Sequence, residues 1–346
     1  MAIYKDFNIQ PENSLVSSDV VTNVKDTISS GMWADGAGTI TTFFTSSTQS
    51  GSSADYYLDV YSANPQSDST AKPQFSVAYG HFNGSGSLGA VGIDGNRASA
   101  AIYRQLTNTL LGPTEEKFTF AGSGTNITPE YVYAISVARQ QLREKMDPGN
   151  WELHISGSGN KIYKFIDDSG ATTSPTINQG GRVFNVVEGS ISSGITTAAA
   201  SEKNGSYGLF YPDLGLILLN ATKAETSGGL GVQARSSDTF DNRPKAFFNA
   251  LVSGSSFQAR REEEISSTNF FVRVNNKDFN FSANPTFSTG SDGSLTQASF
   301  FKDPKTFITQ VGLYNDENEL LAIAKLSKPI LKSYSREAII KVKLDF

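Results

Sequence analysis

Ala338-Ile339-Ile340-Lys341-Val342-Lys343-Leu344-Asp345-Phe346 alternates: Ala338, Ile340, Val342, Leu344 and Phe346 fall on one face, Lys341, Lys343 and Asp345 on the other. Successive side chains of extended backbone point to opposite sides, so a period of two marks a strand with one buried face. The pattern runs to the last residue, so this end is expected to be built into a sheet.

The same texture recurs upstream. Thr306 to Tyr314 and Leu320 to Leu326 read as the arms of a hairpin around Asn315-Asp316-Glu317-Asn318, and Phe270, Val272 and Val274 mark another strand. The middle third gives short strands at Lys161 to Ile166, Arg182 to Val187, Tyr207 to Tyr211 and Gly215 to Leu219, the last two flanking Pro212-Asp213-Leu214. Trp151, Leu153 and Ile155 alternate directly after Asp147-Pro148-Gly149-Asn150. Pro and Gly there suit the two central positions of a type II turn, which predicts a chain reversal and a domain boundary near Asn150. Nearer the start, Asp55 to Tyr61 sets Tyr56, Leu58 and Val60 against Tyr57, Asp59 and Tyr61. Phe75, Val77 and Tyr79 alternate with Ser76, Ala78 and Gly80. The two runs predict an antiparallel pair across the turn-rich Asn64 to Pro73.

Helical periods are fewer. Ala98, Ile102, Leu106 and Leu110 recur every four residues between a capping Asn96 and the stop Gly112-Pro113. Ala246 to Val252, preceded by Pro244, suits a short helix. Tyr131 to Val137, leading into Gln140-Gln141-Leu142-Arg143-Glu144-Lys145, fits either one helix or a strand followed by a helical turn. No tandem repeat of solenoid or propeller length is present. The expected fold is mainly β with a few helices (α+β), as two or three small antiparallel β domains, sandwich-like. The expected domains are residues 1–150 with one or two helices, a middle β domain at 151–240, and a C-terminal β domain at 241–346.

Composition narrows the function. The 346 residues carry 34 acidic and 29 basic side chains, a net charge of −5, and 38% are apolar, which excludes whole-chain disorder. There is no Cys, which removes thiolate nucleophiles, Cys-based zinc sites and disulfides. His81 and His154 are the only imidazoles. The start, MAIYKDFNIQPENS, lacks a basic region, an apolar run and a cleavage site, so it is not expected to be a secretory signal and synthesis in the cytoplasm is expected. The greasiest run, Gly208 to Leu219, is broken by Pro212 and Asp213 and falls short of the ~20 apolar residues of a spanning helix. No membrane insertion is expected.

Motifs that could carry chemistry fail on context. Gly84-Ser85-Gly86-Ser87-Leu88-Gly89 matches a dinucleotide fingerprint by letter, but Ala90-Val91-Gly92-Ile93-Asp94-Gly95 stands where the helix should open. The Gly-Lys pair of a phosphate-binding loop is absent. Glu115-Glu116, Asp167-Asp168 and Glu262-Glu263-Glu264 are neighbours in sequence, and neighbours on a strand point apart, so a pair facing a glycosidic bond is not expected from them. His81 and His154 lack a G-x-S-x-G elbow. Arg260-Arg261 runs straight into three glutamates, an ion-paired surface rather than a nucleic-acid footprint. Asn83, Asn126, Asn204 and Asn220 begin glycosylation sequons that a composition rich in Asn, Ser and Thr produces by chance. No catalytic, cofactor-binding or metal-ligating residue is assigned, and no cofactor is expected. The 23 Phe and 13 Tyr suit sheet cores and protein interfaces.

Several stretches carry a resemblance. Phe270-Phe271-Val272-Arg273-Val274, Asp278 to Phe287, Thr306 to Leu326 and the closing strand resemble virion structural proteins of T4-like and related contractile-tailed bacteriophages. The Val311-Gly312-Leu313-Tyr314 hairpin is also similar to phage tail-collar fibre proteins. Pro73 to His81, the helix around Ile102-Tyr103, Asp147 to Leu153 and Tyr207 to Gly215 resemble the first group in the same order, so the likeness spans most of the chain. Lys328-Pro329-Ile330 is loosely similar to baseplate wedge proteins.

The resemblance implies a non-enzymatic virion protein of the tail or baseplate, in a wedge or fibre-attachment position. It would be assembled in the host bacterial cytoplasm and work through contacts with other tail or baseplate subunits as a homo- or hetero-oligomer, without nucleic acid. A neck or collar protein, a receptor- or carbohydrate-binding fibre module and a tail hydrolase are the alternatives. The first 20 residues and Asp278 to Phe287 are the expected contact segments, and strand addition at a sheet edge is the expected mode.

Overall fold

The computed structural model describes residues 20–46, 57–84, 98–121, 125–172, 174–196, 206–226, 243–281, 285–289 and 292–346. The protein is mainly β with a few helices, as the alternation predicts. It divides into two units: Thr27–Glu263, and a smaller one made of Met1–Asp26 with Glu264–Phe346. Strands β1 (Val20–Gly31) and β13 (Phe257–Val274) each carry the chain from one unit into the other.

In the larger unit the strands between these two are β2 (Thr39–Ile40), β3 (Tyr57–Tyr61), β4 (Pro73–His81), β5 (Tyr131–Val137), β6 (Lys145–Ser156), β7 (Ile162–Asp167), β8 (Thr176–Asn178), β9 (Gly181–Ser190), β10 (Gly194–Ile195), β11 (Gly208–Tyr211) and β12 (Leu216–Asn220). Their order is β13-β6-β7-β9-β11-β12-β5-β4-β3, antiparallel throughout. The helices are α1 (Ala98–Leu110), α2 (Arg139–Leu142), α3 (Ala221–Thr226) and α4 (Arg243–Gly254). The open reading of Tyr131 to Lys145 resolves as a strand followed by a helical turn, β5 and then α2.

The sheet curls. Phe75 on β4 and Phe257 on β13 stand near opposite ends of the strand order, yet their rings lie 5.4 Å apart. Trp33 touches both, at 5.8 and 4.8 Å between ring centres, and its indole N–H donates to the Phe257 carbonyl at 2.9 Å. Helix α4 lies in the concave face, with Phe247 stacked on Tyr133 at 4.7 Å, and Phe248, Ala250 and Leu251 joining the same buried cluster. Each aromatic side chain buried this way contributes roughly 1.5–3 kcal/mol to holding the distant strands together.

Helix α1 packs elsewhere, in a second cluster of Tyr103, Leu110, Phe118, Phe120, Val132, Ala134, Tyr211 and Leu218. It seats closely because β4 offers Gly80: a Cβ there would stand 3.1 Å from the Tyr103 backbone. Its buried residues are Ser99, Ala100, Tyr103, Thr107 and Leu110. Of the four-residue stripe seen in the sequence, Ile102 and Leu106 are therefore only half-buried.

The reversal expected at Asp147-Pro148-Gly149-Asn150 does not occur. Met146 pairs with Arg261 and Trp151 with Ala259, so β6 continues along β13 and the four residues form a bulge. Gly149 does adopt positive φ, +81°, as the turn chemistry requires. The bulge is held from outside the strand: the Asp167 carboxylate accepts the Gly149 N–H at 2.8 Å, and Asp147 accepts from Asn150 and Ser29. Asn150, near which the sequence reading placed a boundary, thus lies inside β6.

In the smaller unit, the second half of β13 pairs with β18 (Ala338–Asp345) from Ser267↔Asp345 to Val274↔Ala338. A separate hairpin pairs β16 (Thr306–Tyr314) with β17 (Leu320–Lys332). Val274, Ile340 and Val342 from the first layer meet Ile308, Val311, Leu313, Ala324, Leu326 and Ile330 from the second. A short pair, β14 (Ser288–Thr289) with β15 (Ser294–Leu295), and α5 (Ser299–Lys302) complete it.

Candidate interaction surface

The closing strand follows its sequence through Leu344: Ile340 and Val342 are buried and Ala338 and Leu344 half-buried, while Lys341 and Lys343 face water; Phe346, expected on the same face as Ile340, lies past the end of the strand and is exposed. Its outward charges link to β1, because the Lys343 ammonium lies 2.7 Å from Asp26 and 3.2 Å from Asp345, and the Ser267 hydroxyl sits between the same two carboxylates. Lys343, then Ser267, hold the Asp26 carboxyl below its usual range; Ser267, then Lys343, do so for Asp345.

Lys332 ends β17 inside the unit. Its ammonium donates to the Asn276 carbonyl at 2.7 Å, Asn280 Oδ1 at 3.2 Å and the Ser333 carbonyl at 3.0 Å. Burial pushes its pKa down, and the three acceptors are what keep a buried ammonium tolerable. The result is a fixed turn at Asn276 to Asn280, from which Phe279 enters the core and Phe281 leaves it, 61% exposed. Phe281 meets Phe287 edge-on at 5.1 Å, and Phe287 meets Phe300 edge-on at 4.5 Å. Phe301 beside them is 85% exposed. The segment Asp278 to Phe287, expected from sequence as a contact element, thus presents an aromatic string over its described residues.

The hairpin adds a second apolar area. Its inner side chains reach the shared cluster, but Phe307, Tyr314, Leu320, Leu321 and Ile323 point away from it, Leu321 being 67% exposed. Tyr314 and Leu320 lie over Gly312, opposite Ile323. Among the described residues neither β16 nor β17 has a second strand partner. The two edges differ in chemistry. β17 carries Lys325, Lys328 and Pro329, residues that discourage strand pairing, whereas β16, Thr306 to Tyr314, has no charged residue and no proline. Sequence reading found the hairpin but not this surface; its signal was the two-sided apolar run Leu320-Leu321-Ala322-Ile323-Ala324.

The residues weighed for chemistry lie apart and have structural partners. The His81 ring stacks on Tyr131 at 5.7 Å and its Nδ1 accepts the Asn83 N–H. His154 lies 2.6 Å from Glu152 Oε1, which Lys164 also approaches at 3.3 Å, while Oε2 accepts the Ile191 N–H at 2.8 Å. Burial would raise the Glu152 carboxyl, but these bonds from His154, Ile191 and Lys164 outweigh it and hold it below the usual range. Asp167 accepts the Gly149 and Ser169 N–H groups, yet burial pushes its carboxyl up; Asp168 accepts twice from Asn185.

Glu115 accepts the Gly112 N–H just past α1. Arg260 donates to Ser29, and Glu262, Glu263 and Glu264 pair with Lys145, with Arg143 and Arg261, and with Lys25, the ion-paired strand the sequence suggests. Asn220 is buried and accepts the Lys223 N–H at the start of α3. Gly86, Gly89, Asn96, Asn204 and the first 19 residues lie outside the described residues. No family model, no curated protein and no solved structure matches the chain.

Proposed function

We propose that the protein is a non-enzymatic structural component of a contractile-tailed phage virion, in the tail or baseplate, that works through protein–protein contacts. The observation that supports this reading is the uncharged β16 edge beside an apolar outer face, on a unit with little buried core of its own. Unpaired N–H and C=O groups on such an edge accept an added strand, which supplies affinity, while the exposed Phe307 and Ile323 side chains add apolar contact beside it. The aromatic string Phe281–Phe287–Phe300 offers a second anchor of the type that dominates protein interfaces.

The test is proteomics on purified particles of the source phage, followed by labelling with a gold-tagged antibody raised to the chain. Peptides of the chain in the particle and gold at the distal tail are expected. Particles without its peptides would overturn the virion role, and gold at the neck would replace the baseplate position with the collar alternative.

A further inference from the structure

Lys332 and Asn280 stand 52 residues apart in sequence, and their side chains meet inside the smaller unit. Hydrogen bonds fix the meeting point from three directions. Thr306, the cross-strand partner of Lys332 where β16 opens, donates its hydroxyl to the Phe279 carbonyl at 2.7 Å. The Asn280 side-chain N–H donates to the Asn276 carbonyl at 2.7 Å. The Lys332 ammonium donates to that same carbonyl at 2.7 Å and to Asn280 Oδ1 at 3.2 Å. Phe279 adopts a positive φ, +53°, which bulky side chains rarely hold, so these bonds rather than local preference set the turn. The Asn280 amide is thus held at both ends: its oxygen faces Nζ, and its nitrogen shares an acceptor with Nζ.

These contacts set a nucleophile against an electrophile. Asn280 Cγ is bonded to the oxygen that Nζ touches, so Nζ lies within roughly 4.5 Å of that carbon. Rotation of the amide about χ2 brings the carbon toward the ~3–3.5 Å of a near-attack geometry. Lys332 is fully buried and Asn280 half-buried. The three oxygens that hold the ammonium are all uncharged. An ammonium buried among neutral oxygens is costly, and that cost favours the neutral amine, the form that attacks. Two carboxylates oppose this through their charge, Asp278, which accepts from Asn275 at 3.0 Å, and Glu337, which accepts from Arg273 at 2.6 Å, but burial outweighs them.

We infer that Lys332 and Asn280 join in an intramolecular isopeptide bond. The ammonium gives up one proton to water, and the Nζ lone pair attacks Cγ. The Nζ–Cγ bond forms, the Cγ–Nδ2 bond breaks, and Nδ2 departs as ammonia with a second proton from Nζ; in water it takes up the first and ends as ammonium. No oxidant, cofactor or second protein is consumed. The product is a neutral amide, so the buried charge disappears. The bond closes a loop around the whole β16–β17 hairpin, in a chain without Cys and a unit whose fully buried apolar side chains are Val274, Ile340 and Val342 among its described residues. A cross-link of this kind removes conformational freedom from the unfolded chain, the staple that a thin core lacks. The inference goes beyond the virion reading and does not depend on it, because it concerns the chain alone.

Mass spectrometry on the full chain tests it. After the folded protein has stood at mildly alkaline pH, which favours the amine, its denatured mass should fall below the sequence value by one ammonia, about 17 Da. Tryptic digestion should then give a branched peptide that joins Asp278 to Lys302 with Leu326 to Arg336, uncut at Lys332. Lys332→Arg keeps the positive charge without the nucleophile, and Asn280→Ala removes the electrophile; both, checked for folding by circular dichroism, should keep their full mass. On a denaturing gel the parent should run ahead of both, because a closed loop is more compact. Full sequence mass in the folded parent overturns the inference. So does a loss of ammonia without the branched peptide, which places the loss in an asparagine closing on its own backbone. The parent's branched peptide decides the matter even where a variant does not fold.

Discussion

In the Thr27–Glu263 unit, aromatic side chains from strands far apart in the sheet meet: Trp33, Phe75 and Phe257 close one end of the core, and Trp151 packs on Phe210 at 5.1 Å. In the smaller unit, Val274, Ile340 and Val342 are the only apolar side chains fully buried among its described residues, while Phe281, Phe301, Phe307, Leu321 and Ile339 face outward. Both are β-rich, and both use alternation. The larger unit satisfies its apolar residues internally. The smaller one divides them between a thin inner core and an exposed outer side.

The strongest break of this contrast is Trp33→Ala. Removing a ring that contacts Phe75 and Phe257 and breaking its indole bond should cost about 3–5 kcal/mol, read as an early urea midpoint for the main transition. Ile340→Ala in the thin core should cost less, about 2 kcal/mol, and should speed amide exchange in β16 to β18 before it touches the main transition. Equal losses at the two sites would end the claim that the cores differ.

The outer face is sharpened by Leu321→Ser with Phe307→Ser. These exposed positions should change stability by no more than about 0.5 kcal/mol, whereas incorporation into particles, or self-association measured by sedimentation, should fall. A stability loss several times larger would show that the two side chains belong to the core.

The smallest effect is electrostatic. Glu152 is held below the usual carboxylate range when folded, so its contribution is present above its unfolded value, about 4.3, and is lost as pH falls through the folded value. Glu152→Gln should therefore lower the thermal midpoint at neutral pH, and the difference from the parent should shrink on acidification. A gap that widens toward acid would reverse the assignment of His154 and Lys164 as stabilising partners.

Much of this was legible in the chain. The closing strand, the hairpin and α1 follow directly from period two and period four. What misled was competition between local rules and tertiary pairing. Asp147-Pro148-Gly149-Asn150 has turn chemistry, but β13 pairs on both sides of it, and the sheet absorbs it as a bulge. The first half of β13 was hidden because Arg260 to Glu264 put charges at every position, and only partners distant in sequence, such as Lys145 and Arg143, reveal why a strand tolerates them. Inner and outer faces of β16 and β17 could not be told apart where both were apolar.

The smaller unit is assembled from both sides of the larger one in sequence: Asp26 meets Lys343, 317 positions later. During synthesis, then, residues 20–26 wait without their partners while everything through Glu263 is made and can fold. The unit that carries the apolar outer face is completed only when β18 leaves the ribosome. That delay acts as a timer. The hairpin, β16 and β17, emerges before the strand that completes its inner layer, so its inward apolar side chains stay uncovered until β18 follows.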